Sequence, residues 1–326
     1  MSTCNKSLCL AVLNYNGVHH LEILLPTLEK ACANIDCPTE IVVLDNQSTE
    51  NDVDWVRQHH PNVKCVVAEE NDYLFSYNAF IKSIDHDVVV ILNNDIRVSD
   101  SFLQPLIDHL EMPDVFAVSS RTYEWEGEEI SSGPSDLSFK DGLYGWRFDR
   151  SRQELCYTLF TSGACMAVDR DKFLKLGGFC RLYHPGYCED LDICFRAWRR
   201  GWKSIYEPAS VVWHREHASW STSEISTTDI LNLEHSLLFQ WSSLPMNKGR
   251  KVRWCSIMRI VFGEFLKWRF LWARTLLKAW MKWVFIARGY HSLKVSEAEL
   301  QEILAMIRTQ RPQRSEANDY AEIQGN

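Results

Sequence analysis

The sequence predicts an α/β fold, a mostly parallel sheet covered by helices on both faces and followed by a C-terminal helical region. Three observations predict it. Over the first 120 residues, short β-branched apolar runs alternate with amphipathic stretches. The runs are apolar throughout, as strands buried on both faces must be. Polar clusters stand directly behind several of these runs, at the strand ends where parallel α/β sheets bind ligands.

The expected strands are Leu8–Leu13, Glu40–Leu44, Lys64–Val67, Val88–Leu92 and Val115–Val118. Leu21, Leu24, Leu25 and Leu28 repeat at helical spacing, and Ser101–Leu110 reads as a helix capped by Ser99 or Asp100. Arg121–Glu154, rich in Gly, Ser, acids and aromatics, reads as an irregular excursion over the sheet edge. A further strand is expected over Thr158–Val168, then a helix from about Asp169 to a Gly177-Gly178 C-cap. Glu189–Arg200 forms a helix stopped by Gly201, and Ser204–Tyr206 and Val211–Trp213 read as short strands. From about Thr228 the pattern is helical, ending in a polar tail expected to fray. This gives a catalytic domain over 1–228, a helical region over 229–310 and a tail over 311–326.

Composition narrows the class. With 326 residues, 46% apolar, 24% charged and a formal charge of −8, the chain is neither collagen-like, disordered nor a small disulfide-stapled domain. An acidic balance argues against nucleic acid as partner. The charge is uneven: residues 250–294 carry a net +10 and many tryptophans, leaving −18 on the rest. Eleven cysteines, an odd number, with no basic-then-apolar leader, point to a reducing cytosol. Their spacing lacks paired zinc knuckles. No apolar run approaches the roughly 18 residues that a membrane-spanning helix needs.

Four clusters carry chemistry. Asn93-Asn94-Asp95, behind a strand, suits a hard divalent cation bridging two phosphates, and equally an ordinary turn. Asp45, behind the second strand, faces a nucleobase or ribose, or else caps the next helix. Glu189, Asp190 and Asp192 crowd one helical turn, where mutual repulsion raises at least one pKa and prepares a general base; helix capping is the alternative. His214, at the end of a short apolar strand, is a cation ligand, a phosphate donor or a structural imidazole.

The ordered set resembles family 2 glycosyltransferases. Leu13-Asn14-Tyr15-Asn16-Gly17, Val42 through Ser48, Asn71, Asn78 and Ile91 through Asp95 are similar to the nucleotide-sugar half of that family. Ser162 through Cys165, Gly177-Gly178-Phe179, Glu189 through Asp192, Arg196–Trp202, Pro208 and Val211 through His214 are similar to its second half. The pattern covers roughly residues 7–220 and looks most like the rhamnosyltransferase-like branch.

The resemblance implies a GT-A fold and an inverting, metal-dependent transfer from a nucleoside-diphosphate sugar, UDP or dTDP rather than GDP, to a glycan or lipid-linked glycan. It assigns Leu13, Asn14, Tyr15, Asp45, Asn71, Asn78 and Asn94 to the donor, and Asp95, His214 and Asn93 to Mg²⁺ or Mn²⁺. Asp190 becomes the base, with Tyr187 on the acceptor side and Glu189 and Asp192 orienting the acceptor or supporting the base. Two positions depart from the family: Asn93 stands where many members carry the first acid of a DxD motif, and Cys180 follows Phe179 where an acid is usual.

Two rival readings are a sugar-phosphate nucleotidyltransferase and a non-catalytic carbohydrate-binding relative. The first wants a glycine- and base-rich loop after the first strand, and Asn14 through Gly17 lacks the charge. The second gains from Asn93 and loses from the retention of Asp95, Asp190 and His214.

In the basic segment, Arg259, Lys267, Arg274, Lys278, Lys282 and Arg288 share one side of a helical wheel, with Trp268, Trp272, Leu276, Trp280 and Trp283 mostly on the other. That pattern fits a helix lying on an anionic membrane, or a brace whose basic side pairs with the acidic body. The membrane alternative makes the expected location cytoplasmic and peripheral to the membrane.

Overall fold

The computed structural model describes residues 6–140, 143–215, 227–245, 270–285 and 294–312. Four parallel strands form its first half: β1 (Leu8–Asn14), β2 (Thr39–Asp45), β3 (Lys64–Val67) and β4 (Val88–Asn93), ordered β4-β1-β2-β3. Their apolar runs are sealed. Val88, Val89, Val90, Ile91 and Leu92 are all at most 2% exposed, each contributing about 1.5–3 kcal/mol of burial. Helices α1 (Val18–Ala33), α2 (Asp52–His59) and α3 (Ser76–Ser83) provide the crossovers, and Leu21, Leu24, Leu25 and Leu28 are fully buried on α1.

Beyond β4 the sheet becomes mixed. A short β5 (Ile96–Val98), which the sequence reading did not anticipate, leads to α4 (Leu103–Leu110) and β6 (Val115–Glu124). Of the expected strand Thr158–Val168 only the end is strand, and a separate short strand precedes it. β10 (Cys156–Tyr157) lies at the sheet edge, while β11 (Cys165–Asp169) runs antiparallel between β4 and β6. The intervening residues carry Ser162 and Gly163 and turn toward the site. The two short strands expected after Gly201 are one, β12 (Lys203–His214), with a register shift between Glu207 and Val211.

The excursion Arg121–Glu154 is more regular than expected. β7 (Ile130–Ser132) pairs back on β6, and β8 (Ser135–Lys140) with β9 (Leu143–Phe148) makes a two-stranded ribbon. Helix α5 (Arg170–Leu176) ends, as expected, at Gly177 in the left-handed conformation (φ 82°). It is followed by α6 (Glu189–Trp198).

Three C-terminal helices complete the described chain: α7 (Thr227–Ser243), α8 (Phe270–Phe285) and α9 (Glu297–Thr309). Leu238, Phe239, Leu300, Ile303, Leu304 and Ile307 join the main core, and Arg308 reaches Asp136 of the ribbon at 2.9 Å. On α8, Lys278 and Lys282 turn inward to the buried Glu234 at 3.0 and 2.6 Å. Its Leu277, Trp280, Met281 and Phe285 are exposed. Around Glu234 these two lysines act as a brace, while Leu277, Trp280, Met281 and Phe285 face outward beside the exposed Arg274 and Lys278. Arg259, Lys267, Trp268, Arg288 and all but the first two residues of the tail lie outside the described residues.

Among the described cysteines Cys9, Cys32, Cys65, Cys156, Cys165, Cys188 and Cys194 are free, while Cys37 is disulfide-bonded, a departure from a wholly reduced set. Among the described residues no helix is long and apolar enough to cross a membrane.

Candidate active site

The carboxyl ends of β1, β2 and β4 come together through side-chain amides. Asn14, at the end of β1, is buried; its Nδ2 donates to Asp52 Oδ2 at 2.8 Å, and its Oδ1 accepts from Asn94 Nδ2 at 2.9 Å. Gly17 opens α1 at this crossing. A Cβ there would lie 2.2 Å from Asn94 Nδ2 and 2.5 Å from Asn14 Oδ1, so only glycine lets the two amides meet. Asp45 accepts from Ser48 N at 3.0 Å and Ser48 Oγ at 2.5 Å, which makes it the organiser of the β2–α2 loop. Asn46 is held by Ser76 Oγ and donates to the Tyr73 carbonyl. Tyr15 is left 48% exposed beside them. Leu13 donates its backbone N–H to the Tyr77 hydroxyl at 3.0 Å.

Asp52 was not singled out from sequence. It is 1% exposed, and Oδ2 accepts from both Asn14 Nδ2 and Gly17 N, the latter at 2.7 Å, while Oδ1 is buried without a hydrogen bond. An acid in the first turn of α2 was the visible signal.

Two expected donor residues have other work. Asn78 receives the Phe179 N–H at 2.8 Å and donates to the Phe179 carbonyl at 2.9 Å, so both its polar atoms pin the Gly-Gly-Phe turn to α3. Gly178, at φ 72°, passes so close that a Cβ would sit 2.4 Å from Asn78 Oδ1. Asn71 is exposed and accepts from Tyr73 N at 3.2 Å, holding its own loop.

Asp95 and His214 converge as the pattern implies. Asp95 is 8% exposed, and its Oδ1 is buried without a hydrogen bond, 3.3 Å from His214 Nε2. β5 and β12 set the approach by pairing Ile96 with His214, and Arg215 N donates to the Asp95 carbonyl at 3.0 Å. An orphaned carboxylate oxygen facing an imidazole nitrogen is a donor pair that fits a divalent cation. Asn93, two residues earlier, adds a neutral amide. Among the described residues no three acids, histidines or cysteines converge on a metal position.

The three carboxylates of α6 have three environments. Asp190 Oδ2 accepts from Gly163 N at 3.1 Å and Oδ1 from Leu191 N at 2.7 Å. Burial raises its pKa to about 6, against the opposing pull of those N–H donors. Glu189 is 7% exposed with Oε2 unpartnered; burial first, then the charge of Asp190, pushes it well above the usual carboxylate range. Asp192, expected on the acceptor side, is instead 3% exposed and paired with Arg196 at 2.8 Å. Arg196 also donates to the Leu176 and Gly178 carbonyls, tying α6 to the end of α5.

The loop before α6 is anchored at both ends. Arg181 forks onto Asp72, its Nη2 at 3.0 Å from Oδ1, and His184 lies 3.2 Å from the same oxygen. Tyr187 and Cys188 hold left-handed backbone, φ 70° and 69°, a costly conformation for such side chains. His235 of α7 fixes it. This residue is fully buried, and its Nδ1 lies 2.7 Å from the Gly186 carbonyl and 3.1 Å from that of Tyr187. Burial, then Lys282, lowers its pKa to about 4, so the ring is neutral and Nδ1–H donates. No sequence signal marked His235, because its partners are backbone carbonyls.

One two-residue segment joins the two clusters. Ala164 O accepts from Asn93 N at 3.0 Å, while Gly163 N donates to Asp190. The Asn93–Asp95 turn and the candidate base thus share a single strut.

The family model for glycosyl transferase family 2 matches residues 9–177. A curated N-acetylglucosaminyl-diphospho-decaprenol L-rhamnosyltransferase of Mycobacterium tuberculosis (strain CDC 1551 / Oshkosh) is 25% identical over 236 residues, 64% of this chain and 76% of that protein. Among solved structures, GalNAc-T7 crystallised with UDP, GalNAc and Mn²⁺ is similar in fold, with a TM-score of 0.54 at 16% identity. That match covers 73% of this chain and 48% of the other, so this chain spans about half its length. The strand-end carboxylates lie on the GT-A frame anticipated from the sequence, the family model covers more than half of the residues, and the chain belongs to glycosyl transferase family 2.

Proposed function

We propose that this glycosyltransferase moves a sugar from a nucleoside diphosphate, UDP or dTDP rather than GDP, to a hydroxyl of a glycan or lipid-linked glycan, with inversion. The observation that carries the reading is the Gly163–Ala164 strut, which bonds Asn93, two residues before Asp95, on one side and the Asp190 carboxylate on the other. Asn14, Tyr15, Asp45 and Asn94 form the donor side, with Asp45 acting through the loop it holds. Asp95 and His214 would hold Mg²⁺ or Mn²⁺, with Asn93 beside them. A cation bound there stabilises negative charge on the departing diphosphate.

Asp190 accepts the acceptor's hydroxyl proton as that oxygen bonds to the anomeric carbon. The bond from that carbon to the diphosphate breaks on the opposite face, and its electron pair leaves with the diphosphate. One displacement inverts the centre. A base with a pKa near 6 is ionised at neutral pH yet basic enough to take a proton. Glu189 and Tyr187 flank it on the acceptor side.

The relative's diphospho-decaprenol-linked substrate supports a lipid-linked acceptor. The outward stripe of Leu277, Trp280, Met281 and Phe285 on α8 supports docking on the cytoplasmic surface of a membrane. The reaction is tested with Asp190→Asn: transfer falls about 10²- to 10⁴-fold, the usual worth of a general base, while UDP-sugar binding by calorimetry is unchanged. Retained turnover removes Asp190 as base.

A further inference from the structure

Away from the donor loops and the α6 turn, a cavity of about 630 Å³ opens between the β6–β7 hairpin, residues 150–153 and the end of β12. That volume lies within the range of ligand pockets. Tyr123, Trp213, Glu128, Glu129, Arg150 and Gln153 line it. We propose that this cavity is a saccharide-binding site separate from the reaction centre, holding a neutral sugar ring of the acceptor against the Tyr123–Trp213 wall. Its ligand class rests on the glycan-acceptor reading above.

The wall is built before any ligand arrives. Trp213 and Tyr123 pair across β12 and β6, and their rings stack at 6.1 Å with 29° between planes. Arg97, the partner of Trp213 on β5, stands 5.0 Å from the indole centre. Arg121 donates to the Tyr123 hydroxyl at 3.2 Å and to the Gln153 carbonyl at 3.0 Å, tying the phenol to the opposite rim. Aromatic surfaces fixed in this way take the C–H face of a pyranose at little cost in ordering.

The rim supplies the complementary polar groups. Glu128 and Glu129 accept hydrogen bonds, Arg150 donates, and Gln153 does both, which matches the mixed donors and acceptors of sugar hydroxyls. Among the lining residues two acids face one arginine, while Arg97 and Arg121 behind the wall donate to the Trp125 and Gln153 carbonyls, so the mouth itself disfavours a phosphate or another anion. Trp213 and His214 are consecutive on β12 and project to opposite faces of the strand. A ring seated on Trp213 therefore does not compete with a diphosphate at Asp95 and His214.

The test uses the labelled full chain on a printed array of neutral and acidic mono- to tetrasaccharides, then titration with the best neutral glycan. Arg150→Ala and Gln153→Ala, both on the exposed rim, each weaken capture about tenfold, a difference of one well-placed hydrogen bond. Asp190→Asn captures as well as the wild type. The proposal is overturned if no neutral glycan is retained, if only acidic glycans are, or if capture is lost in Asp190→Asn and indifferent to the rim. Hydrolysis of UDP- and dTDP-sugars, measured in parallel, separates the two readings: capture through Arg150 and Gln153 without any donor turnover leaves the site standing and removes the transfer reaction.

Discussion

The strand-end loops and the first turn of α6 are both crowded with carboxylates, and they manage them in opposite ways. At the strand ends, Asp45 and Asp52 are enclosed by amide, hydroxyl and backbone donors that hold loops in place. On α6, cationic help goes to Asp192 alone, through Arg196, while Glu189 and Asp190 are buried with like charge beside them. A cation or a full set of donors makes an acid structural; burial that the two N–H donors on Asp190 do not offset keeps its proton affinity high.

The sharpest break in that contrast is Asp192→Ala. It strands the Arg196 guanidinium, 12% exposed, at the α5–α6 junction. Removing one partner of a buried pair costs about 3–5 kcal/mol, read as a lower urea midpoint with activity lost in proportion to folded protein. An acceptor-binding role would instead leave the midpoint alone and raise only the acceptor KM.

The pH profile comes next in size. As the proposed base, Asp190 would work as a carboxylate, and burial raises its pKa to about 6. The transfer rate should therefore be flat above pH 7 and fall about tenfold per unit well below 6. Stability runs the other way. A carboxyl whose folded pKa lies above its unfolded value favours the fold most below the unfolded value, and that contribution is lost as pH rises through about 6. Asp190→Asn should thus melt higher than wild type at pH 8 and not at pH 4. Equal melting at both would show that burial places no strain on this group.

The same contrast explains what the sequence disclosed. Strands β1, β2 and β4 were legible because they are apolar throughout and buried on both faces. The β8–β9 ribbon and three-residue β5 were not, since polar alternation and short length resemble loop. Asp95, His214 and Asp190 were singled out because they stand in an ordered set of motifs that resembles the family. Asp192 was placed on the acceptor although its partner stands in view at i+4, because spacing reveals a pair and not its burial. Asn78 was assigned to the donor and His235 was not singled out for a shared reason: each hydrogen-bonds backbone, which no side-chain pattern records.

His235 offers a finer cut, since it holds the base loop from α7 while touching none of the reacting groups named above. His235→Ala should lower kcat about tenfold, the effect of losing a well-placed hydrogen bond at a positioned loop, with donor KM unchanged. His235→Asn places an amide N–H where Nδ1–H was and should recover most of the loss. If both variants fall equally and melt early, the residue is packing alone.

The smallest expected change returns to the donor side, where the protein supplies one carboxylate and one imidazole and leaves Asn93 neutral. Asn93→Asp adds a second acid at the end of β4, two residues before Asp95 with its orphaned oxygen. If that oxygen is a cation ligand, the Mn²⁺ concentration for half-maximal binding in the presence of UDP should fall about three- to tenfold, roughly 1 kcal/mol. Without metal the two acids repel, so the variant should also melt lower in EDTA and recover with Mn²⁺. Titration followed by Mn²⁺ electron paramagnetic resonance reads this without turnover. An unchanged isotherm would mean that Asp95 and His214 hold the diphosphate side by hydrogen bonding alone, and the contrast between the two carboxylate clusters would then rest on burial rather than on metal.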